Sequence, residues 1–293
     1  MKDKVTVLGG SGFLGSHIAD ELERRGFDVT IFDESESPWS TDSQVMRVGN
    51  LLTVDDLQDA CRGSRFIYHC AGVADIAAAR QDPFGTIQTN VMGTASVLEV
   101  ARQEKVERLV YASTMYVYSA SGSFYRASKQ ASEALIEAYG ESFGLGYSLL
   151  RFGSLYGPRS QEWNGLRGYV RQVMQTGSLQ YPGSGHERRE YIHVVDAARL
   201  SVDILDERHR NQAITVTGTQ VMTSSELAEM IFEIVGQPTN VSFSDQDRTS
   251  EHYRVTPYRF SPKRAKKLVP EEFIDLGQGI LELCEEVANE SNQ

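Results

Sequence analysis

The sequence predicts an α/β fold, a doubly wound parallel sheet followed by a smaller C-terminal α/β region, and three observations carry that expectation. Through the first half, short β-rich runs alternate with amphipathic stretches, the order expected of a parallel sheet with helices on both faces. Most of those runs are near-continuously apolar, as strands buried on both faces must be. Beyond about residue 152 the rhythm changes to longer connections rich in Gly and Arg, with shorter elements between them. The expected division is therefore 1–152, with parts of 190–220, for the sheet domain, and 153–189 with 221–293 for the second region.

In chain order, strands are expected at Val5 to Leu8, Asp28 to Asp33, Val45 to Val48, Phe66 to His69, Arg108 to Ser113 and Tyr147 to Arg151. Between them the apolar spacing predicts helices near 12–25, 53–62, 83–103 and 125–143. Thr53 is placed to cap the second of these, and Pro83 suits a first helical turn, where its missing N–H is no loss. In the second half, helices are expected near 164–176, 194–205 and 272–288. Thr223-Ser224-Ser225-Glu226 is a capping box for a helix running to about Val235, and Ser261-Pro262 opens a short helix whose Lys263, Arg264, Lys266 and Lys267 form a solvated face.

Composition excludes several functions. The chain has 293 residues, 40% hydrophobic and 24% charged, with a net charge of −11, so its surface as a whole repels nucleic acid. No apolar run approaches the ~18 residues of a membrane helix, and Met1-Lys2-Asp3-Lys4 leads into a strand without a signal-peptide core. A cytoplasmic protein with no membrane partner is expected. Cys61, Cys70 and Cys284 are scattered, without metal-ligand spacing or a CxxC pair, and read as free thiols. No metal site is expected.

The first strand runs directly into Gly9-Gly10-Ser11-Gly12-Phe13-Leu14-Gly15 and then a helix, the context in which a glycine pattern marks a Rossmann-type dinucleotide site. Gly9 permits a tight turn, Gly12 close approach of a pyrophosphate, and Gly15 close packing of helix on strand. The pyrophosphate would sit on the helix N-terminus, where free N–H groups and the macrodipole favour an anion. Asp33 ends the second strand eighteen residues after Gly15, near the spacing of a carboxylate that hydrogen-bonds an adenosine ribose. It would repel a 2′-phosphate, and Glu34 and Glu36 add to that repulsion, so NAD is expected over NADP.

Tyr125 and Lys129 open the helix near 125–143 four residues apart, one turn apart on the same face. A nearby ammonium lowers a phenol's pKa from about 10 and makes tyrosinate available as a base. Ser113 and Thr114 follow a strand that should end at the cofactor, and a hydroxyl beside tyrosine is what a ketone/alcohol site needs.

These motifs continue in order with Gly49-Asn50-Leu51, His69-Cys70-Ala71-Gly72, Asn90, Arg151 to Arg159 and Arg189-Glu190-Tyr191-Ile192-His193-Val194-Val195-Asp196. Over nearly its whole length the chain resembles the NAD-dependent sugar-nucleotide epimerase/dehydratase family of the extended short-chain dehydrogenase/reductases. The resemblance implies that Gly9, Gly12, Phe13, Leu14 and Gly15 cradle the dinucleotide and that Asn50 and Leu51 lie by its adenine. It sets Ala71 and Gly72 by its phosphates and ribose, and Asn90 near the active site. Lys129 should hold the nicotinamide ribose and Tyr125 should take the substrate's proton, with Ser113 and Thr114 beside them. Ser154, Arg159, Arg189 and Arg248 should bind a nucleotide-diphosphate sugar; guanidinium forks suit a diphosphate on a net-acidic protein. A homodimer is also implied, in which helices near 83–103 and 125–143 of two subunits form a four-helix bundle.

Family members share oxidation at the sugar C4 and differ in the later steps. A 4,6-dehydratase has an Asp-Glu pair after its Ser-Thr pair; here Met115 and Tyr116 stand there instead, which disfavours dehydration. The expected activity is a nucleotide-sugar 4-epimerase. The alternative is a C4 dehydrogenase or 4-ketoreductase, ahead of a dehydratase or a non-catalytic NAD-binding regulator. The chain departs from the family in a stretch of only twelve residues from Ser113 to Tyr125, in Ser154 where Asn is common, and in Asn50 for an acidic residue. Tyr116 or Tyr118 is expected to fill the space left by the short loop.

Overall fold

The computed structural model describes residues 2–244, 252, 255–257, 265–268, 270 and 272–290. β1 (Lys4–Leu8) passes through the glycine turn into α1 (Phe13–Arg24), and β2 (Asp28–Asp33) and β3 (Val45–Val48) come next. α2 (Val54–Cys61) carries Asp55 and Asp56 in its first turn, where the helix dipole favours acid. Thr53 occupies its N-cap position, but the Thr53 side chain accepts no capping bond. After β4 (Phe66–His69) comes α3 (Ile76–Gln81), unforeseen in the sequence because it is short, and capped by Asp75. The helix predicted over 83–103 is two α segments, α4 (Pro83–Ile87) and α5 (Gly93–Gln103), joined by a π turn at Gln88–Met92. Beyond them lie β5 (Arg108–Thr114), a 3₁₀ turn at Met115–Tyr118, α6 (Ser123–Phe143) and β6 (Gly146–Phe152).

The later part contains β7 (Ser154–Tyr156), α7 (Gly165–Thr176), β8 (Leu179–Tyr181), β9 (Arg188–His193) and α8 (Val194–Asp203). It continues through β10 (Gln212–Val216), β11 (Val221–Thr223), α9 (Ser224–Val235), β12 (Val241–Phe243), β13 (Ala265–Leu268) and α10 (Leu276–Glu290). The capping box of α9 forms as its sequence demands, with Thr223 and Glu226 each bonding the other's backbone. Lys266 and Lys267 correct the expectation of a basic helix: they lie on β13, which pairs in parallel with β10, and Lys267 Nζ reaches Glu190 at 3.0 Å. So short a segment has no helical period of its own, and the tertiary pairing decides its conformation. Ser261, Pro262, Lys263 and Arg264 lie outside the described residues.

Eight parallel strands form the main sheet in the order β13-β10-β6-β5-β4-β1-β2-β3. From β1 the chain winds outward to β2 and β3 on one side, then returns to β4 on the other. The reversal leaves a crevice beyond the carboxyl ends of β1 and β4, the place where open α/β sheets bind ligands. One face of the sheet packs Ile18 and Leu22 of α1 and Leu200 of α8 against Val5 and Val7. Leu57, Leu98 and Ile136 from α2, α5 and α6 cover the other face against Leu8 and Leu109. A third core joins α7, α9 and α10 through Val170, Ile231 and Leu283. Each such side chain contributes roughly 1.5–3 kcal/mol when fully buried, which fixes the strand ends rigidly enough to position a site. No helix among the described residues is long and apolar enough to cross a membrane.

Candidate active site

A cavity of about 900 Å³ runs over the carboxyl ends of the central strands and on between the sheet and the second region. Its floor is the glycine turn. Gly9 has φ +79°, and a Cβ there would come within 2.5 Å of the Ala71 backbone. A Cβ on Gly15 would overlap the Gly9 carbonyl. Gly12 is the extended N-cap residue of α1, so the unpaired first-turn amides of α1 open beside the cavity. This is a cradle that fits a dinucleotide pyrophosphate.

Phe13, Leu14, Asp33, Leu51, Ala71 and Gly72 also line the cavity. Asp33 accepts hydrogen bonds from Ser11 N at 2.9 Å and Glu34 N at 2.8 Å, which aim its carboxylate while leaving it lone pairs for ribose hydroxyls. Two cofactor candidates stand back from the wall. Asn50 is exposed, donating to Glu34 Oε1 at 2.9 Å and accepting from Leu52 N, so it reaches the cavity only through Glu34. Asn90, in the π turn, is buried; it grips Val73 through both backbone groups and donates to Ser128 Oγ at 2.9 Å. It shapes the turn beside Gly72 without lining the cavity.

Tyr125 and Lys129 project from the first turns of α6 into the cavity. Lys129 Nζ donates to Ala112 O at 2.8 Å and lies 4.7 Å from the Tyr111 ring centroid. Burial pulls the Lys129 pKa down, and the opposing charges of Tyr125, Cys70 and Glu133 partly offset that. Both Ser113 and Thr114 line the cavity, but neighbouring strand residues turn their side chains opposite ways. Ser113 Oγ donates to Glu133 Oε1 at 2.6 Å, and Glu133 is clamped by Arg151 at 2.7 and 2.9 Å, with Tyr118 capping the guanidinium. Ser113 is therefore committed to a buried network behind the strand. Thr114 caps the 3₁₀ turn, accepting from Tyr116 N at 3.2 Å.

Toward the second region the cavity meets Ser154, Trp163, Tyr169, Tyr181, Arg189 and Tyr191. The other predicted arginines are not brought there. Arg159 turns away to pair with Asp20 at 2.8 Å and stacks over Trp39 at 4.9 Å, so its charge is already spent. Arg248 lies outside the described residues. Glu187 also lines the wall; burial would raise its pKa, but Ser184 and Gly185 amides and the Ser184 hydroxyl bring it below the ordinary carboxylate value.

Sequence reasoning missed Glu133, Trp163 and His252. Glu133 lies four residues beyond Lys129, two turns after Tyr125, on the same side of its helix, a spacing that could have drawn attention to it. His252 carries no local signal; it reaches the cavity from a distant segment and bonds Tyr116 Oη through Nδ1 at 2.6 Å. Tyr116 does face the cavity, as the short loop suggested, whereas Tyr118 faces Arg151.

A family model described as the NAD dependent epimerase/dehydratase family matches residues 5–217. The chain is 24% identical over 300 aligned positions to a putative UDP-glucose 4-epimerase of Methanocaldococcus jannaschii, covering 94% of this chain and 95% of that one. It is 25% identical over 268 positions to a UDP-N-acetyl-alpha-D-glucosaminuronate decarboxylase of Bacillus cytotoxicus, covering 82% and 83%. Its fold matches the UDP-glucose 4-epimerase of Thermus thermophilus, solved in complex with NAD, with a TM-score of 0.79 at 24% identity over 97% of this chain and 99% of that one.

Proposed function

The chain belongs to the NAD dependent epimerase/dehydratase family, and on that premise we propose that it is a nucleotide-sugar 4-epimerase. It is an NAD-dependent enzyme of the extended short-chain dehydrogenase/reductase type. The observation that carries the proposal is the Tyr125–Lys129 pair facing one cavity with Thr114, in a wall whose carboxylates near the substrate are already engaged. Asp75 caps α3 through Ala77 N, and Glu187 is held by Ser184 and Gly185. Neither is poised to serve an elimination, and Met115 and Tyr116 offer no acid in their place.

In this reading residues 1–152 with parts of 190–220 hold NAD, through Gly9, Gly12, Phe13, Leu14, Gly15, Asp33, Leu51, Ala71 and Gly72, while the remainder holds the sugar nucleotide. Bound NAD⁺ supplies the hydride acceptor for a sugar carbon, and its reduced form the donor for the return. Tyr125 takes the proton of the C4 hydroxyl, with the Lys129 charge stabilising its phenolate and Thr114 orienting the substrate oxygen. Arg189 neutralises the diphosphate and Ser154 bonds the substrate beside it. Giving the proton back after hydride returns to either face of the 4-keto sugar restores the hydroxyl in either configuration.

A homodimer through α4, α5 and α6 belongs to the same proposal: Phe84, Ile87 and Met92 on that helical run are 71%, 43% and 55% exposed, and Phe143 at the end of α6 is 58% exposed. Burial of these side chains in a four-helix bundle would account for them. We also place the enzyme in the cytoplasm, where nucleotide sugars and NAD are available. The test is proton NMR of a sugar-nucleotide panel incubated with the protein and a trace of NAD⁺. A mixture of C4 stereoisomers without net NADH is expected. Net NADH, release of CO₂ or a 4-keto-6-deoxy product would overturn the epimerase assignment.

A further inference from the structure

We propose that Tyr116 and His252 form the specificity-determining wall of the sugar pocket, a hydrogen-bonded pair that joins the two halves of the cleft and selects among sugar substituents beside Tyr125. The inference rests on the nucleotide-sugar reading and names the part of that site that discriminates.

Tyr116 lies in the 3₁₀ turn after β5, on the cofactor side. Its ring meets Tyr125 edge-on at 6.0 Å between centroids, and its hydroxyl bonds His252 Nδ1 at 2.6 Å. All three side chains line the cavity. His252 reaches the cavity from the opposite side, and three residues on, Val255 bridges Arg188, Thr256 N donates to Arg188 O at 3.0 Å, and Glu190 N donates to Thr256 Oγ1 at 3.1 Å. Arg189 sits between Arg188 and Glu190, the two β9 residues that meet Val255 and Thr256.

The seat of Tyr116 is built by the chain around it. Thr114 Oγ1 fixes its amide. Gly122 has φ +100°, and a Cβ there would come within 2.7 Å of Tyr116 Cδ1. Arg126 Nη1 donates to Ser119 O at 3.0 Å and Ala120 O at 2.7 Å, holding the loop that delivers Gly122. The short loop thus leaves room for one large ring, placed next to the base that works at C4. C6, borne by the C5 neighbour of C4, is a hydroxymethyl group in some hexoses and a carboxylate in others, and C2, two bonds from C4, carries a hydroxyl or an acetamido group, so a wall beside C4 lies within reach of the groups that differ. An aromatic edge excludes bulk there, and a phenol bonded to imidazole offers hydrogen bonds that a hydroxyl can use and an acetamide or carboxylate meets differently.

The experiment measures kcat/KM on uridine diphosphate hexoses carrying a hydroxyl, an acetamido group or a carboxylate, for the parent and for Tyr116→Ala, Tyr116→Phe, His252→Ala and the Tyr116→Phe/His252→Ala double variant. Tyr116→Ala is expected to change the ratios between sugars at least tenfold, with NAD and UDP binding within twofold of the parent. Tyr116→Phe keeps the ring and serves where the alanine variant fails to fold. Tyr116→Phe should give a several-fold change, and the double variant should match His252→Ala alone, because the bond that Tyr116→Phe removes is already broken there. Ratios unchanged within twofold, a loss shared equally by every sugar, or additive single effects would overturn the inference. An active parent with unaltered ratios removes only this inference; a parent that turns over no nucleotide sugar removes the reading beneath it as well.

Discussion

Replacing Arg151 by Met should destabilise the protein by about 4 kcal/mol, and the buried network behind Thr114 says why. Arg151 and Glu133 have side-chain exposures of 1% and 3% and share two hydrogen bonds, at 2.7 and 2.9 Å. Methionine fills the volume of the aliphatic stem but leaves a carboxylate in the core whose one remaining hydrogen-bond partner among the described residues is the Ser113 hydroxyl, at 2.6 Å. Breaking one side of such a pair costs about 3–5 kcal/mol. For a chain of this size the loss corresponds to a fall in Tm of about 6–7 °C. Urea titration at pH 7 measures it. Glu133→Leu combined with Arg151→Met should recover all but about 1–2 kcal/mol, the remainder being the Ser113 hydroxyl left without an acceptor. A cost below about 1 kcal/mol for Arg151→Met, or a double variant no better than the single, would refute the argument.

Three other outcomes are expected. Tyr125→Phe should lower kcat by about 10²–10⁴-fold, the usual worth of a general base, with NAD affinity by fluorescence titration within twofold of the parent. Arg189→Ala should raise KM for the sugar nucleotide at least tenfold in steady-state assays while leaving NAD binding in place, since a guanidinium fork on a diphosphate is lost. Stability should fall between pH 6.5 and 4 through His69, whose pKa is held at about 3 by burial and then by the Lys129 charge. Its Nε2–H meets Thr94 Oγ1, whose own proton goes to Asn90 O, so a second proton on Nδ1 finds no acceptor among the described residues. The unfolded chain binds that proton below about pH 6.5 and the folded one does not, which costs about 2 kcal/mol by pH 5; denaturation curves of His69→Gln should lack this arm.

What could be read in the sequence was the chemistry that fits on one strand, one turn or one helix. Gly9 to Gly15 with Asp33, and Tyr125 with Lys129, are local patterns in which spacing alone sets the geometry, and each lines the cavity where it should. The first six strands of the sheet are local apolar runs of the same kind; β10 and β13 escaped notice, because a strand such as Ala265–Leu268 is defined by the neighbour it pairs with. The misread residues all have partners far off in sequence. Arg159 was expected to bind the substrate together with Arg189, yet Asp20 and Trp39 hold it. Ser113 and Thr114 looked equivalent until Glu133, twenty residues on, claimed one of them. His252 gave no sign until Tyr116, 136 residues away, met it. A motif names which residue types the reaction needs, but whether a given arginine or hydroxyl is left to meet the substrate depends on which remote side chain has already engaged it. In this fold those engagements shape the wall toward the second region more than the wall at the glycine turn, because the turn presents largely backbone, which every sequence carries, and the opposite wall presents side chains gathered from distant segments.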